Sequence, residues 1–217
     1  MTPMTPRSLP LLTLAAALAA PAWAQSTPKP AAASAAKPAA ASTATAPATP
    51  APAQLVATQS EIAFTSRQMG VPVDGRFRRF DAQVQFDPKK PETARIALKV
   101  DLASISMGAP ESEAEVVKPE WFNAAKFPQA SFTATSVKAL GGGRYEMTGP
   151  FTLKGVARDI VVPLALATAG ANTVATGGFT LKRLEWRIGE GEWSDTSMVA
   201  NDVAVKFKLT FSGIAPL

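Results

Sequence analysis

Residues 54–217 predict an all-β fold, an antiparallel barrel or a sandwich. Three observations carry this. Apolar and polar residues alternate with period two through nearly every segment, so each strand has one apolar face. Clusters of Gly, Pro, Asn and Asp punctuate the segments at short intervals, as hairpins require. A single stretch, 112–128, lacks the alternation. The strands number roughly eight to ten and several are long, which favours the barrel.

The elements follow in order. SEIAFTSRQ sets Ile62 and Phe64 on one face. VDGRFRRF follows, with a bend expected at Gly75. DAQVQFD alternates Ala82, Val84 and Phe86 with Gln83 and Gln85, and DPKKPE reads as a turn. ARIALKVDLASI turns Ile96, Leu98, Val100 and Leu102 inward. Strands resume at ASFTATSVKAL, turn at GGG (141–143), and continue through GRYEMTGPFTLKGVARDIVVPLAL with a turn at Gly155. NTVATGGFTLKR and LEWRI come next. The last strand, DVAVKFKLTF, sets Val203, Val205, Phe207, Leu209 and Phe211 against outward Lys206 and Lys208.

The exception, SEAEVVKPEWFNAAKFP, is read as a short helical segment near 112–125. Ser112 and Glu115 have capping-box spacing, and Pro119 must end or restart the helix. Trp121 and Phe122 then pack down, either as a gate over a cavity mouth or as a plug in the barrel end; their large burial on few residues favours the plug. A second irregularity lies in GGFTLKRLEWRIG. Phe179 and Leu181 share a face on which alternation also places Arg183. Either a bulge near Lys182 shifts the phase, or Arg183 points inward and needs a carboxylate or an anionic ligand. The bulge is the preferred reading, because bulges are common where barrel strands bend.

The N-terminal part is of another kind. Arg7 is the only charge in the first 24 residues, the apolar run LPLLTLAAALAA follows it, and AWA closes the segment. This is the form of a secretory signal peptide cleaved after Ala24. Residues 25–53 are mostly Ala, Pro, Thr and Ser and read as a disordered linker with no apolar face to bury. The expected product is an exported, periplasmic protein with one folded domain over 54–217.

Composition excludes much chemistry. There is no Cys and no His, so there is no Ser-His-Asp triad, thiolate nucleophile, imidazole or thiolate metal site, or axial His for haem. Of 22 Lys+Arg, three (Arg7, Lys29, Lys37) precede the domain, which leaves it near neutral against 17 Asp+Glu. Nucleic-acid binding has no support in that balance.

Five pieces carry a family resemblance: SEIAFTSRQMGVPVDGRF, FDPKKPETARIALKVDLASI, PEWFNAAKFPQASFTATSV, MTGPFTLKGVARDIVVPL and FTLKRLEWRIGEGEW. In order and spacing the domain resembles the YceI-like family of periplasmic polyisoprenoid-binding proteins. The resemblance implies an extended, lipocalin-like barrel of about eight strands around an apolar tunnel that takes a long isoprenoid chain. Many members carry His before Ser60 and near the end of that strand; Gln59 and Gln68 stand there. Many carry an Arg-Asp-x-His segment before the aromatic pair; Ser112, Glu113 and Glu115 match those places.

Three functional readings follow. The first is a binding protein for a polyisoprenoid such as a quinone or prenyl phosphate, with no other cofactor required. Its lining candidates are Phe64, Phe132, Met147, Phe151, Phe179 and Trp186, and Arg183, Arg158 or Lys154 would meet a polar head at the mouth. Its partners would be the hydrophobic ligand, transiently a membrane or membrane protein, and a second copy in a homodimer. The second is a non-enzymatic structural or accessory module for a membrane redox or stress-response partner, which a filled interior would favour. The third is an enzyme using Tyr145 with carboxylates; it ranks last, since Tyr145 alternates with its neighbours as a packing residue does.

Overall fold

The computed structural model describes residues 51–216. The apolar run, the Ala24 cleavage site and most of the expected linker lie outside the described residues. One antiparallel sheet dominates. Its strands are β1 (Gln54–Leu55), β2 (Glu61–Gln68), β3 (Val71–Phe77), β4 (Phe80–Gln85), β5 (Arg95–Asp101), β6 (Ile105–Ser106), β7 (Gln129–Thr133), β8 (Ser136–Gly141), β9 (Arg144–Leu153), β10 (Val156–Ala169), β11 (Asn172–Lys182) and β12 (Asp202–Ser212). They run in the order β4-β5-β7-β9-β10-β11-β12-β2-β3-β6, with β1 on β12 and β8 on β9.

The count is twelve hydrogen-bonded segments, against about eight expected. Long strands are broken. β3 passes into β4 across Arg78 and Arg79, β5 into β6 across the 3-10 turn Leu102–Ser104, and β7 into β8 across Ala134 and Thr135. The first two breaks are stitched to each other: the Arg79 N–H donates to Ser104 Oγ at 3.0 Å, and Arg79 Nε donates to Asp101 at 2.9 Å. Asp101 also accepts from the Ala103 N–H, which caps the turn. Since β3 runs on into β4 and β5 into β6, the two ends of the path belong to the same neighbouring pair of long strands, and the sheet curls around one interior.

Alternation supplies that interior. Val203, Val205, Phe207, Leu209 and Phe211 of β12 face the cavity, while Lys206 and Lys208 are exposed, as their spacing predicts. The last long strand meets the first: Val205 stands opposite Phe64 and Phe207 opposite Ile62. The segment read as linker meets the sheet at Ala53, which is buried and whose N–H donates to the Val84 carbonyl at 2.7 Å.

Three local expectations change. Gly75 is not a bend; it sits inside β3 opposite Phe64, and a Cβ there would come within 2.3 Å of the Phe64 ring. The missing side chain is the seat of that ring. The helix α1 is Pro110–Val116, earlier than the capping box suggested. Pro110 opens it, and no side chain caps Ala109. Glu113 instead folds back and accepts from the N–H groups of Met107 and Gly108, which hold its carboxyl below the usual range. LEWRI is not a strand: β11 ends at Lys182, a 3-10 turn covers Arg183–Trp186, and Arg187 is left-handed at φ 59°.

Candidate functional site

The curled sheet is not filled. It encloses a cavity of about 570 Å3. That is within the range of pockets that hold small molecules and lipids. Every long strand contributes apolar side chains, among them Phe64, Leu98, Phe132, Met147, Phe151, Leu164, Phe179 and Phe207. The roof of one end is α1 with the turns after it: Glu111, Ser112, Glu115, Val116, Trp121 and Phe122 all line the cavity. Phe122 packs on Phe77 with ring centres 6.2 Å apart, and Trp121 on Trp193 at 5.4 Å. The segment read as a plug thus roofs a space instead of filling it.

Six of the seven residues singled out from sequence meet in this cavity: Phe64, Phe132, Met147, Phe151, Phe179 and Arg183. Trp186 does not line it. Its ring packs edge-on to Phe151 at 5.7 Å and lies under the Arg158 guanidinium at 5.9 Å. The phase change at the 3-10 turn turns it away. Tyr145 lines the cavity beside Phe86, edge to face at 5.3 Å.

Arg183 points inward, as the less favoured of the two readings had it, but with other partners than that reading called for. It is 1% exposed. Neither a carboxylate nor a bulge accounts for it, because the strand has ended and the turn folds its side chain among carbonyl oxygens. Nε donates to Ala200 at 3.1 Å, Nη1 to Ile188 at 2.9 Å and Gly189 at 3.0 Å, and Nη2 to Val199 at 2.8 Å. Burial pushes its pKa down, and the carbonyls satisfy the charge instead of a counter-ion.

The other two cations are engaged as well. Lys154 is left-handed at φ 49° beside Gly155, a two-residue turn with both φ angles positive. It is 7% exposed, and its Nζ donates to the Arg187 carbonyl at 2.7 Å, the Glu190 carboxylate at 2.9 Å and the Glu120 carbonyl at 3.3 Å. The β9–β10 turn is thereby pinned to the roof and to the turn after Arg183. Arg158 Nε donates to the Glu185 carbonyl at 3.1 Å. None of the three reaches the mouth as a free cation.

Polar groups also line the cavity: Ser66, Gln68, Glu111, Ser112 and Glu115, with Arg183. The Trp121 Nε1–H is buried there without a hydrogen-bond partner among the described residues. Sequence reasoning missed the Trp121–Trp193 stack. Its signal, a tryptophan in the GEGEW loop, has no periodicity to place it.

A family model described as YceI-like domain matches residues 54–211. A UPF0312 protein of Azotobacter vinelandii is 33% identical over 88 residues, 41% of this chain and 46% of the relative. One of Shewanella sp. strain ANA-3 is 33% identical over 104 residues, 48% of this chain and 54% of the relative. The alignments span about half the length of these curated relatives. Among solved structures, BcnA of Burkholderia cenocepacia is 37% identical with a TM-score of 0.70, over 72% of this chain and 99% of that one. A polyisoprenoid binding domain from Saccharophagus degradans shares the fold at 17% identity, TM-score 0.61, over 75% of this chain and 98% of that one.

Proposed function

This chain belongs to the YceI-like family, and from its family and its cavity we propose that it is a periplasmic carrier or reservoir for a long isoprenoid-type lipid. The observation that carries the reading is the unfilled interior, whose wall is mostly apolar with a few polar groups. Burial alone gives about 0.8 kcal/mol per methylene, so a long chain is held without strong polar contacts. The fold neighbour from Saccharophagus degradans, described as polyisoprenoid binding, supports the same ligand class. Export rests on the AWA site before Gln25. The action proposed is binding, without catalysis.

Of the two heads considered, a neutral quinone is favoured over a prenyl phosphate. Arg183 is the one cation lining the cavity among the described residues, and its donors are committed to four carbonyls. Glu111 and Glu115 line the same cavity and oppose a phosphate. A quinone carbonyl needs only a donor such as Gln68 or Ser66.

Mass spectrometry of an organic extract of natively purified protein tests the reading. A long isoprenoid chain with an uncharged head is expected. An extract holding only phospholipid, or nothing above background, would overturn it.

A further inference from the structure

Five large apolar side chains are markedly exposed among the described residues, and three of them stand together. Met69 is 66% exposed, Val71 63% and Met198 43%. Their clustering is fixed by the backbone. The Met69 N–H donates to the Met198 carbonyl at 2.8 Å, and Gln68 bridges to Val199. Met69 and Gly70 form the two-residue turn that closes the β2–β3 hairpin, and Gln68 pairs with Val71.

The location of this tip gives it meaning. Paired residues on neighbouring strands point to the same face. Gln68 lines the cavity, so Val71, its partner across the hairpin, stands on the same inner face. Val73 and Phe77, further along β3 on that face, line the cavity itself. An apolar track therefore runs from solvent at Val71 into the interior. Val199, next to Met198, also lines the cavity and is bridged to Gln68.

The residue at the turn is costly to the fold. Met69 has φ 48° and Gly70 φ 80°, a conformation that favours Asn or Asp before Gly. A methionine there is strained in its backbone and exposed in its side chain. Neither property helps the barrel.

We propose that the Met69–Val71–Met198 tip inserts into the surface of a lipid bilayer and sets the neighbouring end of the cavity, lined by Gln68, Val73 and Val199, against it. A protein partner is a poorer match, because three side chains on a hairpin tip are far short of the roughly 800 Å2 per side of a stable protein interface. Flexible methionines match an acyl boundary instead. That end of the cavity then faces hydrocarbon, and a lipid passes along the track without crossing water. This goes beyond ligand binding, and its test does not need the cavity to be occupied.

The test is flotation with phosphatidylcholine vesicles, using protein recovered from the soluble fraction of expressing cells. Wild type floats. A variant carrying Met69→Asn, Val71→Thr and Met198→Ser partitions roughly tenfold less or weaker still. Met69→Asn alone lowers partition and raises the melting temperature, a pair of effects that a folding role for Met69 does not produce. Val161→Ser, which removes an exposed apolar group elsewhere, leaves partition unchanged. The proposal is overturned if wild type stays with the unbound protein, if the triple variant floats as well as wild type, if Val161→Ser loses as much, or if the triple variant instead abolishes a dimer in sedimentation, which would make a second copy the occupant.

Discussion

The carbon at the centre of the Arg183 guanidinium lies 5.9 Å from the centre of the Trp121 ring. The turn that follows β11 and the roof over the cavity are therefore one packed unit. Through Arg183 this unit also holds the carbonyls of Ile188, Gly189, Val199 and Ala200.

Arg183→Met should therefore destabilise the protein strongly. It leaves four carbonyls without their donor, each lost partner costing about 1–3 kcal/mol where no water replaces it. A total loss of at least about 3 kcal/mol is expected from urea unfolding. Arg183→Lys should recover only part of it, because one ammonium cannot reach four oxygens spread around a planar fork. A loss under about 1 kcal/mol for Arg183→Met would mean that the carbonyls find other donors.

Glu190 gives a pH dependence. Lys154, then Arg187, holds its carboxyl below the ordinary 4.5. A depressed carboxyl adds stability above its unfolded pKa and loses it as pH falls through the folded value. As pH falls through the ordinary value of 4.5 and below it, wild type should lose melting temperature more steeply than Glu190→Gln. The difference should be modest, since the Glu190 side chain is 42% exposed. Parallel pH profiles for the two proteins would remove this carboxyl from the account.

Gly75→Ala sets a methyl against the Phe64 ring and drives that ring into the cavity. Bound lipid per protein should fall while the fold persists, at a cost of about 1–3 kcal/mol. Phe64→Leu in the same chain should restore the lost occupancy. Failure of that rescue would mean the cavity narrows for another reason.

Met147→Trp enlarges a side chain that lines the middle of the apolar wall. In an open cavity it lowers binding of a long-chain quinone and barely moves the melting temperature. In a filled interior it would overpack and cost about 1–3 kcal/mol with no change in binding. Binding and melting measured on the same sample separate these outcomes.

A chain begun at Gln54 loses the Ala53 strand contact, while one begun at Ala51 keeps it. The first should be less stable than the second by about 1 kcal/mol, from one backbone hydrogen bond and a buried methyl. Equal denaturation midpoints would show that the contact contributes nothing.

The strands were legible because each carries its own signal. β12 needs no knowledge of its neighbours to declare Val203 to Phe211 inward. The breaks were not, since a bend at Arg78 and Arg79 is fixed by Ser104 and Asp101, two dozen positions away. Arg183 shows the same limit. Alternation flagged it as anomalous, yet the carbonyls that satisfy it come from a loop with no period. Trp186 was misplaced for the related reason that a 3-10 turn resets which face a residue occupies. The left-handed Met69 and Lys154 carried a readable clue, since each stands before a glycine in a two-residue turn.

The meeting of β2 with β12 also governs how the molecule can form. The Thr210 N–H donates to the Ser60 hydroxyl, 150 positions away in the chain. During synthesis from the N-terminus, β2 appears early and has no second neighbour until almost the whole domain has emerged. Contacts so distant in sequence make folding slow, and the half-finished sheet carries its apolar face and a bare strand edge in the meantime. The nascent protein is thus most prone to stick to other chains just before its last strand arrives. Changes along β12 should lower the yield of soluble protein more sharply than changes of equal energetic cost in the local β9–β10 hairpin.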